Sequence, residues 1–189
     1  MRETNEISDA IERVLLDGAA IDARVRKLAA EISADYAGVD YGEDGLVLVG
    51  VLKGAFVFLA DLARQLTVPH HVDFIALSSY NQGETSGEVR LIMDSRINVA
   101  DRHVLIVEDI VDTGHTLDYL QRTFSARHPA SLRSCVFLSK PDRRRVEVEI
   151  DYLGFEIPNV WVVGYGLDYG DRYRTLPYVG ALKEEIYEN

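Results

Sequence analysis

Residues 46–52 read Leu-Val-Leu-Val-Gly-Val-Leu, seven positions without a polar side chain. A strand with one face in water alternates apolar and polar residues, so an unbroken run of this kind is best read as a strand buried on both faces. Such strands lie inside parallel sheets covered by helices on each side. Further largely apolar stretches mark strands at residues 72–77, 89–93, 103–107, 132–138 and 160–164. Between them the period changes. Ile21, Val25, Leu28, Ala29, Ile32 and Tyr36 fall at helical spacing and predict an amphipathic helix over about residues 20–37. Gly54 leads into an apolar helix over about 55–65, and a third helix is expected over about 116–127. Residues 81–88 are polar and hold Gly83 and Gly87, which reads as an exposed loop. The alternation predicts an α/β fold, a mostly parallel sheet flanked by helices.

Bulk properties narrow the function classes. A chain of 189 residues, 47% of them apolar, fills one core and is too short for two ordinary domains. No repeat or long linker divides it, and no apolar run reaches the roughly eighteen residues of a membrane span. Residues 1–6 carry no apolar signal region. The single cysteine, Cys135, sits within an apolar run and reads as an inert core thiol in a reducing cytoplasm. A formal charge of −11 argues against nonspecific binding to nucleic acid or anionic membranes, both of which need surface cations.

The chemistry concentrates at residues 104–116, Val-Leu-Ile-Val-Glu-Asp-Ile-Val-Asp-Thr-Gly-His-Thr. Two adjacent carboxylates, Glu108 and Asp109, follow a buried strand, and a third acid, Asp112, opens the polar turn of Thr113, Gly114, His115 and Thr116. Ligands of open α/β sheets bind beyond the carboxyl ends of the strands. A turn entering a helix offers free N–H groups and the positive end of the helix dipole, which suits a phosphate. One stretch thus supplies an anion cradle and, just before it, acids able to hold cations or ribose hydroxyls. Asp112 can also serve as an N-cap for the helix.

This stretch resembles the phosphoribosyl-diphosphate (PRPP) signature of the purine phosphoribosyltransferases, and the resemblance runs from about residue 46 to the C-terminus. Leu52-Lys53-Gly54 is similar to the family's diphosphate loop, and Ser79-Tyr80 to the start of its mobile lid. Lys140-Pro141-Asp142 resembles the segment with the purine-reading lysine. Residues 161–169, Trp-Val-Val-Gly-Tyr-Gly-Leu-Asp-Tyr, resemble the base-stacking and metal segment, and Arg174 stands where the family has a diphosphate arginine. The branch most similar is that for hypoxanthine, or hypoxanthine and guanine.

The resemblance implies a type I phosphoribosyltransferase core, about residues 46–140 of a single domain spanning 1–189. A small hood, made from N-terminal residues and the C-terminal segment, covers the cleft. It implies Mg²⁺-dependent transfer of phosphoribose from PRPP to a 6-oxopurine base, giving a purine nucleoside monophosphate and diphosphate. Asp112 to Thr116 would clamp the 5′-phosphate, through turn N–H groups and the Thr113 and Thr116 hydroxyls. Glu108 and Asp109 would hold the ribose hydroxyls directly or through Mg²⁺, and Asp112 would act as general base for the purine N7. Lys53 and Gly54 would bind diphosphate, with a cis peptide between Leu52 and Lys53. Lys140 would donate to the 6-oxo oxygen. Trp161 would stack on the base, reversing the reading of a strand aromatic as core, and the Val162 backbone would read the base's edge. Asp168 would hold Mg²⁺ and Arg174 would clamp the leaving group.

His115 replaces the lysine, arginine or leucine usual in the family and either faces the phosphate or points to solvent. The run Arg143-Arg144-Arg145 reads as solvated surface. A homodimer or homotetramer follows from the same resemblance. Its rivals are a PRPP-fold nucleotide-sensing regulator, which would need a basic face, a receiver-type signalling domain, and a phosphoribosyltransferase for xanthine or a pyrimidine.

Overall fold

The computed structural model describes residues 9–41, 45–79 and 89–187. The elements run β1 (Ile11–Leu16), α1 (Gly18–Asp35), β2 (Leu46–Leu52), α2 (Phe56–Gln65), β3 (His70–Ser79), β4 (Val89–Met93) and β5 (His103–Val111). There follow α3 (His115–Ser125), β6 (Ser131–Ser139), a 3-10 turn (Pro141–Arg143), β7 (Tyr152–Glu156), β8 (Val162–Val163), β9 (Val179–Leu182) and α4 (Glu184–Tyr187).

Six strands form one sheet in the order β4-β3-β2-β5-β6-β7. Every pair is parallel except β3 with β4. The continuous apolar runs are explained by the two cores. Leu46, Leu48, Leu105 and Val107 pack on one face with Ile21, Leu28, Ile32, Phe58 and Leu62 of α1 and α2. Val47, Val49, Val104 and Ile106 pack on the other with Leu117, Leu120 and Phe124 of α3. Alternate residues of β2 and β5 therefore face opposite cores, and neither face of these strands meets water.

Strand order reverses between β2 and β5. From β2 the chain steps outward to β3, whereas β5 is followed on its other side by β6 and β7. In a sheet of this kind the crevice outside the carboxyl ends at the reversal is where ligands bind. Lys53 leaves β2 there and Asp112 leaves β5.

The structure departs from the sequence expectations at three places. The strand expected over 103–107 continues to Val111, because β6 is equally long and keeps pairing it, Glu108 with Val136 and Val111 with Ser139. Glu108 and Asp109 thus belong to the strand's end rather than following it. Residues 160–164 supply no strand to the main sheet; Val162–Val163 joins a separate antiparallel sheet in the order β1-β9-β8. That sheet unites both ends of the chain, Ile11 pairing with Leu182. Strands β1, β7 and β9 have no counterpart in the expected set. The polar loop over 81–88 lies outside the described residues. Among those described, no helix is long and apolar enough to cross a membrane.

Candidate active site

Three cavities meet at the carboxyl edge of the sheet, and Asp109 lines all three. The largest, about 720 Å³, is bounded by Asp112, Lys140, Arg143, Trp161, Val162, Asp168 and Tyr187 among others. A second, about 250 Å³, follows the backbone from Glu108 through Asp112, Thr113, Gly114 and Thr116. The third, about 210 Å³, is bounded by Lys53, Gly54, Glu108, Thr116, Asp168 and Arg174.

The smallest cavity depends on close backbone approach. The Leu52–Lys53 peptide is cis. A Cβ at Gly54 would lie 1.6 Å from Asp109 Oδ2, and one at Gly166 would lie 2.0 Å from the Gly54 carbonyl oxygen. Glycine at both positions lets the Lys53 loop pass between the Asp109 carboxyl and the Gly166 backbone. Lys53 Nζ donates to both carboxylate oxygens of Asp171 at 3.0 Å. Arg174 donates to Asp171 at 2.7 Å and to the Gly166 carbonyl at 2.9 Å, and it pairs with Asp168 at 2.8 Å. The Asp171 N–H donates to Asp168 Oδ2 at 2.7 Å. Arg174, then Lys53, hold the Asp171 carboxyl below its ordinary range.

Glu108 is buried, and its Oε2 has no hydrogen-bond partner. Burial raises its carboxyl well above the ordinary range, and the charge of Asp109 adds to this. Burial also pushes Asp109 up to about 6, against backbone N–H donors and the charge of Arg174. Both acids therefore sit in surroundings that disfavour their charge and would be relieved by a cation or by hydroxyl donors.

The turn after β5 has a different construction from the one the N-cap reading of Asp112 implies. The cap of α3 is Gly114, at φ 94°, with no side-chain cap bond. A Cβ there would meet the Val146 carbonyl oxygen at 2.4 Å, so this glycine accommodates the backing loop as well as the left-handed conformation. That loop is fixed from behind, as the N–H groups of Arg145 and Val146 donate to the Thr113 carbonyl at 2.9 and 3.0 Å. Thr113 and Thr116 line the second cavity; His115 is not among its lining residues.

In the large cavity Lys140 is buried, and desolvation lowers its ammonium pKa while the charge of Asp112 opposes this. Arg143 Nε donates to Asp112 Oδ1 at 3.0 Å, and Arg144 donates to Ser139 Oγ at 2.8 Å. Arg143 and Arg145 are exposed, as the solvated-surface reading has it, and Arg144 is half-buried. Arg143 nevertheless lines the large cavity and reaches Asp112, because the 3-10 turn Pro141–Arg143 folds back on the end of β5. Trp161 is 46% exposed, too open for a core residue. Tyr169 meets it edge-on at 5.6 Å and Tyr187 stacks on it at 5.7 Å and 26°. Val162 is buried in β8.

Most of the expected site residues therefore converge. Ser79 closes β3 by pairing with Val89; Tyr80, and with it the lid, lies outside the described residues. Arg143 and Tyr187 complete the wall of the large cavity without having been read from the sequence as site residues. Asp171, likewise unread, joins the site through its bonds to Lys53 and Arg174. The signal for Asp171 was its spacing, three residues from both Asp168 and Arg174. Among the described residues no three His, Cys, Asp or Glu side chains form a ready metal cage.

The chain resembles known proteins over most of its length. The chain is 49% identical over 181 residues to a hypoxanthine-guanine phosphoribosyltransferase of Mycobacterium avium, covering 94% of this chain and 89% of the relative. It is 46% identical over 170 residues to a hypoxanthine phosphoribosyltransferase of Salmonella typhimurium, covering 89% and 94%. A structure of Trypanosoma cruzi hypoxanthine phosphoribosyltransferase superposes with a TM-score of 0.90 at 45% identity, covering 95% of each chain. One from Staphylococcus aureus gives 0.89 at 40%, covering 97% of each. Residues 14–170 match the phosphoribosyl transferase domain, and the chain belongs to the phosphoribosyltransferase family.

Proposed function

We propose that this protein transfers the phosphoribosyl group of PRPP to a 6-oxopurine, hypoxanthine or guanine, in purine salvage. The observation that carries this reading is the junction of three cavities at Asp109. A purine beside Lys140 and Trp161, a 5′-phosphate on the Thr113 turn and a diphosphate beside Lys53 and Arg174 would share one ribose over Glu108 and Asp109. In the reaction the bond from the anomeric carbon to the diphosphate oxygen breaks and a bond from that carbon to a purine ring nitrogen forms. The proton on N7 passes to Asp112, held by Arg143. Lys140 donates to the 6-oxo oxygen, an acceptor that adenine lacks, and the Val162 backbone reads the base's edge.

The donor set suits Mg²⁺ bound with substrate. Glu108 keeps a buried carboxylate oxygen without a partner, and Asp109 and Asp168 face the same cavity. Mg²⁺ commonly takes one or two protein carboxylates and completes its shell from substrate phosphates and water. When bound it neutralises charge on the departing diphosphate. The same reading includes a cytoplasmic enzyme assembled as a homodimer or homotetramer, which sedimentation of the purified protein tests.

Trp161, the only tryptophan, reports on base binding. Inosine or guanosine monophosphate should change its fluorescence in a saturable way, and ribose-5-phosphate should change it little. Equal responses to all three, or no response to the nucleotides, would contradict base stacking at Trp161.

A further inference from the structure

Both cations expected to hold the diphosphate are bonded to one carboxylate of the protein itself. Asp171 receives Lys53 Nζ on both oxygens at 3.0 Å and Arg174 Nη2 at 2.7 Å. The turn is shaped for this contact. Asp171 adopts φ 63°, which few non-glycine residues favour, and its N–H is tied to Asp168 Oδ2 at 2.7 Å. The contact is nonetheless open to water, Lys53 and Asp171 being 65% and 63% exposed and only Arg174 withdrawn, at 18%. Ion pairs this exposed contribute little to stability and are readily exchanged.

We infer that Asp171 is a positioning residue that competes with the diphosphate group for Lys53 and Arg174. Its carboxylate offers the two cations the same chemistry as a phosphate oxygen pair, an anion accepting from a point charge and from a guanidinium. A diphosphate reaching the cavity must share or displace it. The carboxylate keeps both side chains aimed at the cavity, weakens ground-state capture of PRPP, and retakes the cations as the product diphosphate leaves. This rests on the diphosphate assignment above.

Calorimetric titration of magnesium diphosphate and of guanosine monophosphate into the wild type, Asp171→Asn and Asp171→Ala separates the possibilities. Loss of the competing charge should tighten diphosphate binding about three- to thirty-fold, leave the monophosphate within twofold, and lower the KM for PRPP. Asp171→Glu, which keeps the charge, should stay near the wild type. Unchanged or weaker diphosphate binding in the neutral variants would overturn the inference. Equal tightening of both ligands would also overturn it, since a general change in field would then suffice. A wild type that binds the monophosphate but no diphosphate would remove the diphosphate assignment and this inference together.

Discussion

Asp112 touches the large cavity with one side and Arg143 with the other, and this division defines what its substitution does. Because Gly114 caps α3, Asp112→Asn removes no cap and the variant should fold as the wild type does. Its turnover should fall about 10²- to 10⁴-fold with the KM for PRPP within a few-fold, since only proton transfer is lost; turnover near wild type would exclude Asp112 as the base. Trp161→Ala should weaken nucleotide binding by about 1–3 kcal/mol. It should cost the fold less than about 1 kcal/mol, because the ring is 46% exposed. Titration calorimetry and urea unfolding measure the two effects separately. At this scale the sequence was most informative where residue type and position coincide, as at Glu108, Asp109 and Lys140. It was least informative for Arg143. Three consecutive arginines look like a solvated face, and only the fold-back of the 3-10 turn brings Arg143 to a residue 31 positions earlier.

The buried strands were legible because burial on both faces leaves an unbroken apolar run, visible in β2, β5 and β6. Strand β1 was not, since its one partner, β9, lies at the other end of the chain and its residues 11–16 are mostly exposed or half-buried. Strand β7 is short and holds Gly154, where a Cβ would meet the Phe137 carbonyl oxygen at 2.2 Å, so a residue that weakens a strand pattern is required by packing. Between β4 and β5 one carboxylate organises the connection. Asp73 accepts from Ser95 Oγ, the N–H groups of Arg96 and Ile97, and that of Phe74, at 2.6 to 2.9 Å. Burial would raise its pKa, but these donors outweigh burial and lower it. A lowered folded pKa contributes stability above the ordinary carboxylate range that is lost as pH falls through it. Asp73→Ala should therefore cost about 1–3 kcal/mol at pH 7, with the difference shrinking towards pH 3. Urea unfolding at both values checks this; a pH-independent difference would contradict it. Gly114→Ala should destabilise by about 2–4 kcal/mol, from its φ of 94° and its approach to Val146.

The whole molecule carries a formal charge of −11 and must nevertheless hold a substrate with several phosphates. At the cavity proposed for diphosphate the two cations, Lys53 and Arg174, are themselves paired with Asp171 and Asp168. Leaving-group charge thus needs a further positive partner, and chelation of divalent ions should abolish turnover while leaving the melting temperature within a few degrees. Full turnover in excess chelator would contradict this. On the proposed assignment, reversal of strand order between β2 and β5 gathers one reaction path, from purine through ribose to diphosphate. Diphosphate release from PRPP, followed with hypoxanthine, guanine, adenine and uracil in turn, tests it most directly. Release should be rapid with hypoxanthine or guanine and lower by about 10³-fold or more with adenine and uracil. Comparable release with adenine or uracil, or none with either 6-oxopurine, would exclude a 6-oxopurine site beside Lys140.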